Sequence, residues 1–128
     1  MSDRFLAGRT ALVTGSTSGI GLGIAQAMAS AGARVAVNGL GSAEQIAQAL
    51  ASVQAAGAPD VRHFGADLSD AAAVETMMAQ IADWSPSDIV VNCAGVQHAA
   101  PLADMPAATW DKLIAINVGA AFHTVRLA

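Results

Sequence analysis

The sequence predicts an α/β fold in which a parallel sheet is covered by helices on both faces. Three observations support this prediction: short apolar runs alternate with longer stretches of helical periodicity, 54% of the residues are hydrophobic, and only 12% are charged. Strands that are separated by helices run parallel, and right-handed crossovers place the helices on both faces. We therefore expect a doubly wound βαβαβαβα arrangement that occupies residues 1–128 as one domain.

The first strand and the first helix flank a glycine-rich turn. Residues 10–14 are apolar or β-branched and are followed by Gly15, which indicates a buried strand. A helix is predicted over residues 19–31, where Gly32 is a suitable helix-ending glycine. The second strand follows over residues 34–38.

Caps and apolar spacing define the next helices. Ser42, with Gln45 three positions later, forms a capping-box pattern at the start of the second helix. The buried face of that helix comprises Ile46, Ala49, Leu50 and Val53. A third strand is predicted over residues 61–66, and either Ser69 or Asp70 caps the helix after it. The buried face of this third helix comprises Val74, Met77, Met78 and Ile81.

The last strand and a long helix complete the pattern. Residues 88–92 form the fourth predicted strand, after a turn at residues 85–87. Pro106 suits the first turn of a helix that runs to about Arg126 and is about 30 Å long. Its apolar surface is broad and comprises Trp110, Leu113, Ile114, Val118, Ala121, Phe122 and Val125.

Charge and composition exclude several classes of function. The net charge is −4 and the six basic residues are scattered, which argues against a nucleic-acid partner. No run of about 18 apolar residues predicts a membrane span. Residues 1–5 include an acid and lack the apolar core of a signal peptide, so we expect a cytoplasmic protein. The single cysteine, Cys93, is expected to be a buried packing residue, and the three histidines are too far apart for a metal motif, so no metal site is predicted.

The glycine-rich turn at residues 14–21 carries the strongest functional signal. Gly15 permits a tight turn, Gly19 lets the backbone approach a pyrophosphate, and Gly21 lets the helix pack closely. The helix N-terminus then presents free N–H groups and a positive dipole to phosphates. Hydroxyl donors in the same turn come from Ser16, Thr17 and Ser18. Because no Gly-Lys-Ser or Gly-Lys-Thr is present, the turn is not a P-loop, and a purely structural turn is the alternative.

The spacing of the glycines resembles the short-chain dehydrogenase/reductase family, whose pattern is Thr-Gly-x-x-x-Gly-x-Gly. Further motifs match along essentially the whole chain: Asp67-Leu68 after the third strand, Asn92-Cys93-Ala94-Gly95 after the fourth, and Asn117 in the last helix. Asn92-Cys93-Ala94-Gly95 is similar to the family's Asn-Asn-Ala-Gly. The resemblance implies a Rossmann-type sheet with strand order 3-2-1-4, of which residues 1–128 would be the dinucleotide-binding, N-terminal half.

The resemblance also implies which residues bind the cofactor and act in catalysis. Asn117 matches the asparagine of the family's catalytic tetrad, although a helical polar residue that faces solvent is the alternative. The implied cofactor-binding residues are Gly15, Ser16, Thr17, Ser18, Gly19, Ile20, Gly21, Leu40, Asp67, Leu68, Asn92, Ala94 and Gly95.

One subgroup is especially similar, the bacterial 3-hydroxybutyrate dehydrogenases. The similarity lies in residues 14–25, 38–39, 96–98 and 115–124. It implies NAD-dependent interconversion of (R)-3-hydroxybutyrate and acetoacetate, with Gln97 donating hydrogen bonds to the substrate carboxylate and His98 beside it. The alternative for Gln97 and His98 is an ordinary polar loop after a strand.

The choice between NAD and NADP depends on the residues after the second strand. A carboxylate there would bind the ribose hydroxyls of NAD, but the chain has Asn38, Gly39 and Leu40, and no acid before Glu44. It also lacks an Arg or Lys there, or at Ser18, to bind a 2′-phosphate. This absence and the subgroup resemblance both favour NAD.

The family's catalytic Tyr and Lys have no counterpart in this sequence. The chain contains no tyrosine, and its single lysine, Lys112, precedes Asn117. We therefore expect a partial view of a longer enzyme, in which the apolar face of the last helix would support a homo-oligomer and the fourth strand would be an uncovered sheet edge. Two alternatives stay open: a family member with another alcohol or ketone substrate, and a non-catalytic NAD(P)-binding module.

Overall fold

A four-stranded parallel sheet forms the centre of the structure, a computed structural model that describes residues 3–128. Residues 1 and 2 of the N-terminal segment considered above lie outside the described residues. The strands are β1 (Thr10–Val13), β2 (Arg34–Val37), β3 (Val61–His63) and β4 (Ile89–Val91). Their order is β3-β2-β1-β4, which confirms the predicted order and the doubly wound fold.

The helices follow the strands along the chain as predicted. They are α1 (Gly19–Ser30), α2 (Ala43–Ala56), α3 (Ala71–Trp84), α4 (Ala107–Ile114) and α5 (Ala120–Leu127). A single 3₁₀ turn, Leu102–Asp104, precedes α4, and a π-helical turn, Ala115–Gly119, joins α4 to α5. The predicted last helix is therefore helical over nearly all of its expected length, but it is not regular.

Each face of the sheet has its own apolar core. On one face, Val13 and Val35 pack against Ala25 of α1 and Val53 of α2. On the other face, Leu12 packs with the predicted buried residues of α3, which are Val74, Met77, Met78 and Ile81. Alternate residues of a strand point to opposite faces, so adjacent Leu12 and Val13 enter different cores.

Side-chain caps begin two of the helices. Ser42 and Gln45 form the predicted capping box at α2, with both bonds between 3.0 and 3.1 Å. Asp70 caps α3 by accepting a hydrogen bond from the Ala72 N–H, whereas the Ser69 hydroxyl donates to Asp67 instead. Of the two candidate caps, Asp70 is therefore the one used.

The length of β3 and the burial of Cys93 are among the predicted features that differ from the structure. β3 ends at His63, because the chain turns away after Phe64, whose N–H still donates to the Val37 carbonyl. Cys93 is only half-buried, at the edge of the α1–α2 core, since the sheet has already ended at Val91.

No helix within residues 3–128 is both long and apolar enough to cross a membrane. In the same part of the chain, no group of three His, Cys, Asp or Glu side chains is arranged to hold a metal ion.

Candidate functional site

A cleft of about 610 Å³ opens at the carboxyl ends of the strands, where the turns after β1, β2 and β4 and the segment after β3 meet. It brings together predicted cofactor residues from four separate segments: Gly15, Thr17, Ser18, Ile20, Gly21, Leu40, Asp67, Leu68, Ala94 and Gly95. The remaining lining residues are Asn38, Gly39, Ala66, Cys93, Val96, Lys112 and Ile116. Clefts at this edge of an open parallel sheet are where such folds bind ligands.

The glycine turn has the geometry that its sequence predicts. Gly15 and Gly19 have φ angles of +62° and +59°, in the left-handed region that favours glycine. A Cβ on Gly21 would overlap the carbonyl oxygen of Gly15, so helix α1 can start this close to the turn only with glycine there. A Cβ on Gly19 would have no heavy atom within 4 Å, which means that the outer side of the turn is open.

Helix α1 begins without a side-chain cap. Ser18 occupies the cap position, but its hydroxyl makes no capping hydrogen bond. A helix has N–H groups in its first turn that lack intrahelical partners and carry partial positive charge. At α1 these groups lie beside Ser18, Ile20 and Gly21 of the cleft, where an anion could accept from them.

The three hydroxyls of the turn have different roles. Ser16 is fully buried. Its Oγ donates to the Val13 carbonyl at 2.7 Å and accepts from the Asn38 N–H at 3.1 Å. The hydroxyl was predicted to serve a ligand, but these bonds within the chain occupy it. Thr17 Oγ1 donates to the Leu40 carbonyl at 3.0 Å and thereby ties the turn to the segment after β2. Ser18 is therefore the turn residue whose hydroxyl is left to face the cleft.

Two buried residues that the motifs do not mark as ligands organise the site. The Asn38 side chain accepts from the Gly15 N–H and donates to the Phe64 carbonyl, both at 3.1 Å. Thr14 Oγ1 accepts from the backbone N–H groups of Cys93 and Ala94, both at 3.0 Å. Thr14 opens the family's glycine motif and Asn38 ends the second predicted strand, but the sequence does not reveal the hydrogen-bond partners of either residue.

Asp67 lies exposed at the wall of the cleft that follows β3. Its carboxylate accepts from both the hydroxyl and the backbone N–H of Ser69. These two hydrogen bonds, led by the hydroxyl, hold the pKa of Asp67 below its ordinary value. Asp67 therefore brings a stable negative charge to this wall.

Asn117 lies in the π turn and is hydrogen-bonded to the segment after β4. Its Oδ1 accepts from the Val96 N–H at 3.0 Å and its Nδ2 donates to the Val96 carbonyl at 2.8 Å. A Cβ on Gly95 would come within 2.8 Å of that same Oδ1, so a larger residue there would require the Asn117 side chain to shift. The side chain is thus not a polar group that merely faces solvent.

Four further predicted residues, Gly19, Asn92, Gln97 and His98, also lie outside the cleft lining. The Asn92 side chain accepts a hydrogen bond from the buried Thr124 hydroxyl at 2.7 Å, so it is directed towards α5. Gln97 and His98 are exposed on the segment between β4 and the 3₁₀ turn. They lie just after Val96, which does line the cleft.

Comparison with known proteins supports one family. The family model described as short chain dehydrogenase matches residues 9–128. A protein named D-beta-hydroxybutyrate dehydrogenase from Cupriavidus necator is 52% identical, over 96% of this chain and 47% of its own length. One of the same name from Rhizobium meliloti is 42% identical, over 92% of this chain and 46% of its own length. The chain thus spans about half the length of these curated relatives.

Solved structures agree with the sequence relatives. The structure of a 3-oxoacyl (acyl-carrier-protein) reductase from Agrobacterium tumefaciens with NADP bound superposes with a TM-score of 0.87 at 33% identity, covering 96% of this chain and 47% of that one. A Serratia marcescens short-chain dehydrogenase/reductase mutant superposes with a TM-score of 0.89, also at 33% identity, over 96% of this chain and 50% of that one. With the matched family model, the glycine turn and the observed strand order, these findings show that the chain belongs to the short-chain dehydrogenase family.

Proposed function

We propose that this chain is the dinucleotide-binding, N-terminal part of an NAD-dependent dehydrogenase that interconverts (R)-3-hydroxybutyrate and acetoacetate. The observation that carries the proposal is the cleft in which the glycine turn, Asp67 and the Ala94-Gly95 segment meet. The names of the two relatives at 52% and 42% identity support the choice of substrate. The whole of residues 1–128 would serve as one dinucleotide-binding domain.

The residues present fit a dinucleotide. The open side of Gly19 leaves room for a pyrophosphate against the turn, and the uncapped start of α1 offers it N–H donors. Asp67 and Leu68 would bind the adenine end, while Ala94 and Gly95 would line the other end, with Asn92 behind them. When bound, the nicotinamide ring would accept or release hydride.

Beyond the cofactor, the polar residues after β4 would orient the substrate. Gln97 can donate two hydrogen bonds to a carboxylate, and His98 would lie beside it. We place Asn117 in the catalytic machinery because its two hydrogen bonds hold the backbone of Val96 in place. Those bonds would also position the neighbouring Gly95 and Gln97. The substrate class is a small hydroxy acid or its ketone.

The segment after β2 supports NAD over NADP. Among the described residues of that segment, Gly39, Leu40 and Gly41 offer no cation to a 2′-phosphate, and the Leu40 side chain is 78% exposed at the cleft. A 2′-phosphate placed there would lose water without gaining a cation from this segment, which is unfavourable. We therefore expect NADH to bind at least about tenfold more tightly than NADPH in a fluorescence titration.

A matched pair of glycine variants tests the phosphate site. Gly19 and Gly8 both have positive φ angles, +59° and +83°, and neither has a heavy atom within 4 Å of an added Cβ. Gly19→Ala and Gly8→Ala should therefore cost similar backbone strain, about 1 kcal/mol of unfolding free energy each. Only Gly19→Ala should weaken NADH binding, by about tenfold or more.

Calorimetric titration of both variants with NADH measures this difference, and thermal unfolding serves as the check on strain. If Gly19→Ala folds and binds NADH as tightly as Gly8→Ala does, the assignment of the phosphate site is wrong. If the site is right, supplying the rest of a related dehydrogenase in trans or by fusion should yield activity on 3-hydroxybutyrate.

A further inference from the structure

The described residues that line the cleft include only two charged side chains, Asp67 and Lys112. Asp67 follows β3, whereas Lys112 lies in the last turn of α4, four residues before Ile116, which also lines the cleft. Residues four apart share one face of a helix, so Lys112 belongs to the face that α4 and the π turn present to the cleft. The two charges thus come from different elements and line the same cleft.

The Lys112 ammonium has no fixed partner within residues 3–128. The ion pairs in that range join Arg9 to Asp88 and Arg126 to Glu75. The electrostatic neighbour of Lys112 is Asp67: its positive charge adds a small contribution to the lowered pKa of that carboxyl, after the larger effect of Ser69. Because a lysine side chain is long and flexible, this ammonium remains available to another anion.

A dinucleotide would bring two phosphate charges towards an opening that already contains the Asp67 carboxylate, on a chain of net charge −4. The negative charges of the phosphates and of Asp67 repel one another, which weakens binding and slows association. A cation that lines the same cleft, such as Lys112, offsets that repulsion.

We propose that Lys112 is a recognition residue for the phosphates of the cofactor, acting from the α4 side of the cleft that Asp67 also lines. The inference rests on the proposed function, since it requires a dinucleotide in the cleft. The Lys112 ammonium attracts the pyrophosphate through its charge and needs no fixed hydrogen-bond geometry. Arg at this position would serve the same purpose.

Charge-matched variants test the proposal. Lys112→Gln and Arg34→Gln each remove one positive charge, but Arg34 is exposed at the opposite end of β2, away from the cleft. In about 0.1 M salt, where charges are screened beyond about 10 Å, Lys112→Gln should raise the Kd for NADH about threefold to tenfold. Arg34→Gln should change it less than about twofold, and Lys112→Arg should keep the affinity of the unaltered protein.

Salt and a smaller probe separate attraction to phosphate from a merely structural effect. In about 1 M salt the screening length falls to about 3 Å, so the Kd values of Lys112→Gln and the unaltered protein should converge. ADP should show the Lys112→Gln effect, whereas adenosine, which has no phosphate, should not. Equal losses for ADP and adenosine, or a loss that persists in 1 M salt, would overturn the inference.

The proposed function and the role of Lys112 can be refuted separately. If the unaltered protein binds NADH but Lys112→Gln behaves like Arg34→Gln, the role of Lys112 is refuted and the cofactor site stands. If the unaltered protein binds neither NADH nor ADP, the proposed function and the inference are both refuted.

Discussion

Asn38 is a single buried amide on which the shape of the cleft depends. Its side chain is almost fully buried, accepts from the Gly15 N–H and donates to the Phe64 carbonyl. Asn38→Leu would leave the partly buried Gly15 N–H and the buried Phe64 carbonyl without these hydrogen bonds, so the free energy of unfolding should fall by about 2 to 3 kcal/mol. Urea denaturation measures the loss. Gln48→Leu, which alters an exposed amide of α2, is the control, and an equal effect of the two would contradict the role of Asn38.

Ser69 is predicted to control the ionisation of Asp67. The Ser69 hydroxyl is the main cause of the lowered pKa of this carboxyl, so Ser69→Ala should move that pKa back towards its ordinary value. Because folding lowers the pKa, the stabilisation is present above the unfolded-state pKa and is lost as pH falls through the folded-state pKa. Carbon NMR titration of the Asp67 carboxyl in the unaltered protein and in Ser69→Ala measures the shift. An unchanged Asp67 titration in Ser69→Ala would refute this assignment.

At the level of single residues, the sequence predicted backbone requirements better than side-chain partners. Gly15, Gly19 and Gly21 follow from the steric needs of a strand that turns into a helix, and all three have the expected geometry or contact. Ser16 could not be predicted in the same way. Its hydroxyl forms bonds with Val13 and Asn38, and the second of these partners depends on how β1 and β2 pair, which spacing does not reveal.

At the level of elements, helix α1 contains two glycines that differ in how closely they pack against the rest of the chain. Gly21 and Gly23 lie two residues apart in the same helix, yet a Cβ would overlap the Gly15 carbonyl at the first and meet nothing within 4 Å at the second. Gly21→Ala should therefore lower the free energy of unfolding by about 2 kcal/mol or more. Gly23→Ala should raise it by about 0.5 to 1 kcal/mol, because alanine is the better helix former.

Chemical denaturation of the two variants gives the comparison directly. A similar change in both would mean that α1 does not approach the turn as closely as described. Gly23→Ala should bind NADH with the affinity of the unaltered protein. An unchanged affinity would show that an alanine in α1 does not by itself disturb the cleft.

Elements with local signals were predicted well, and those shaped by tertiary contacts less so. The capping box at Ser42 and the apolar face of α3 are encoded within a few residues, and both are confirmed. The π turn at Ala115–Gly119 carries no comparable local pattern. It contains Asn117, whose two hydrogen bonds to Val96 join it to a segment about 20 residues earlier, and a contact of that kind is not visible in helical periodicity.

At the level of the whole molecule, the two faces of the sheet lead to different expectations for association. Apart from the exposed Ile20, the α1–α2 face buries most of its large apolar side chains at least partly within the chain, whereas α4, the π turn and α5 leave several exposed, as predicted from their sequence. We call this exposed surface the α4–α5 stripe; it comprises Trp110, Ile114, Val118, Phe122 and Val125. A continuous apolar surface of this kind is typical of a protein contact.

The α4–α5 stripe is therefore the proposed contact of a homo-oligomer, and lysine substitutions test it. Val118 and Val125 are 58% and 64% exposed, so Val118→Lys/Val125→Lys should leave the fold intact while placing charges in the contact. Sedimentation velocity should show association of the unaltered protein at concentrations where the double variant is monomeric. Leu102→Lys is the control, because Leu102 is 91% exposed but lies on the 3₁₀ turn, outside the stripe. Association that persists in the double variant would instead implicate the open edge of β4, whose backbone groups can pair with another strand.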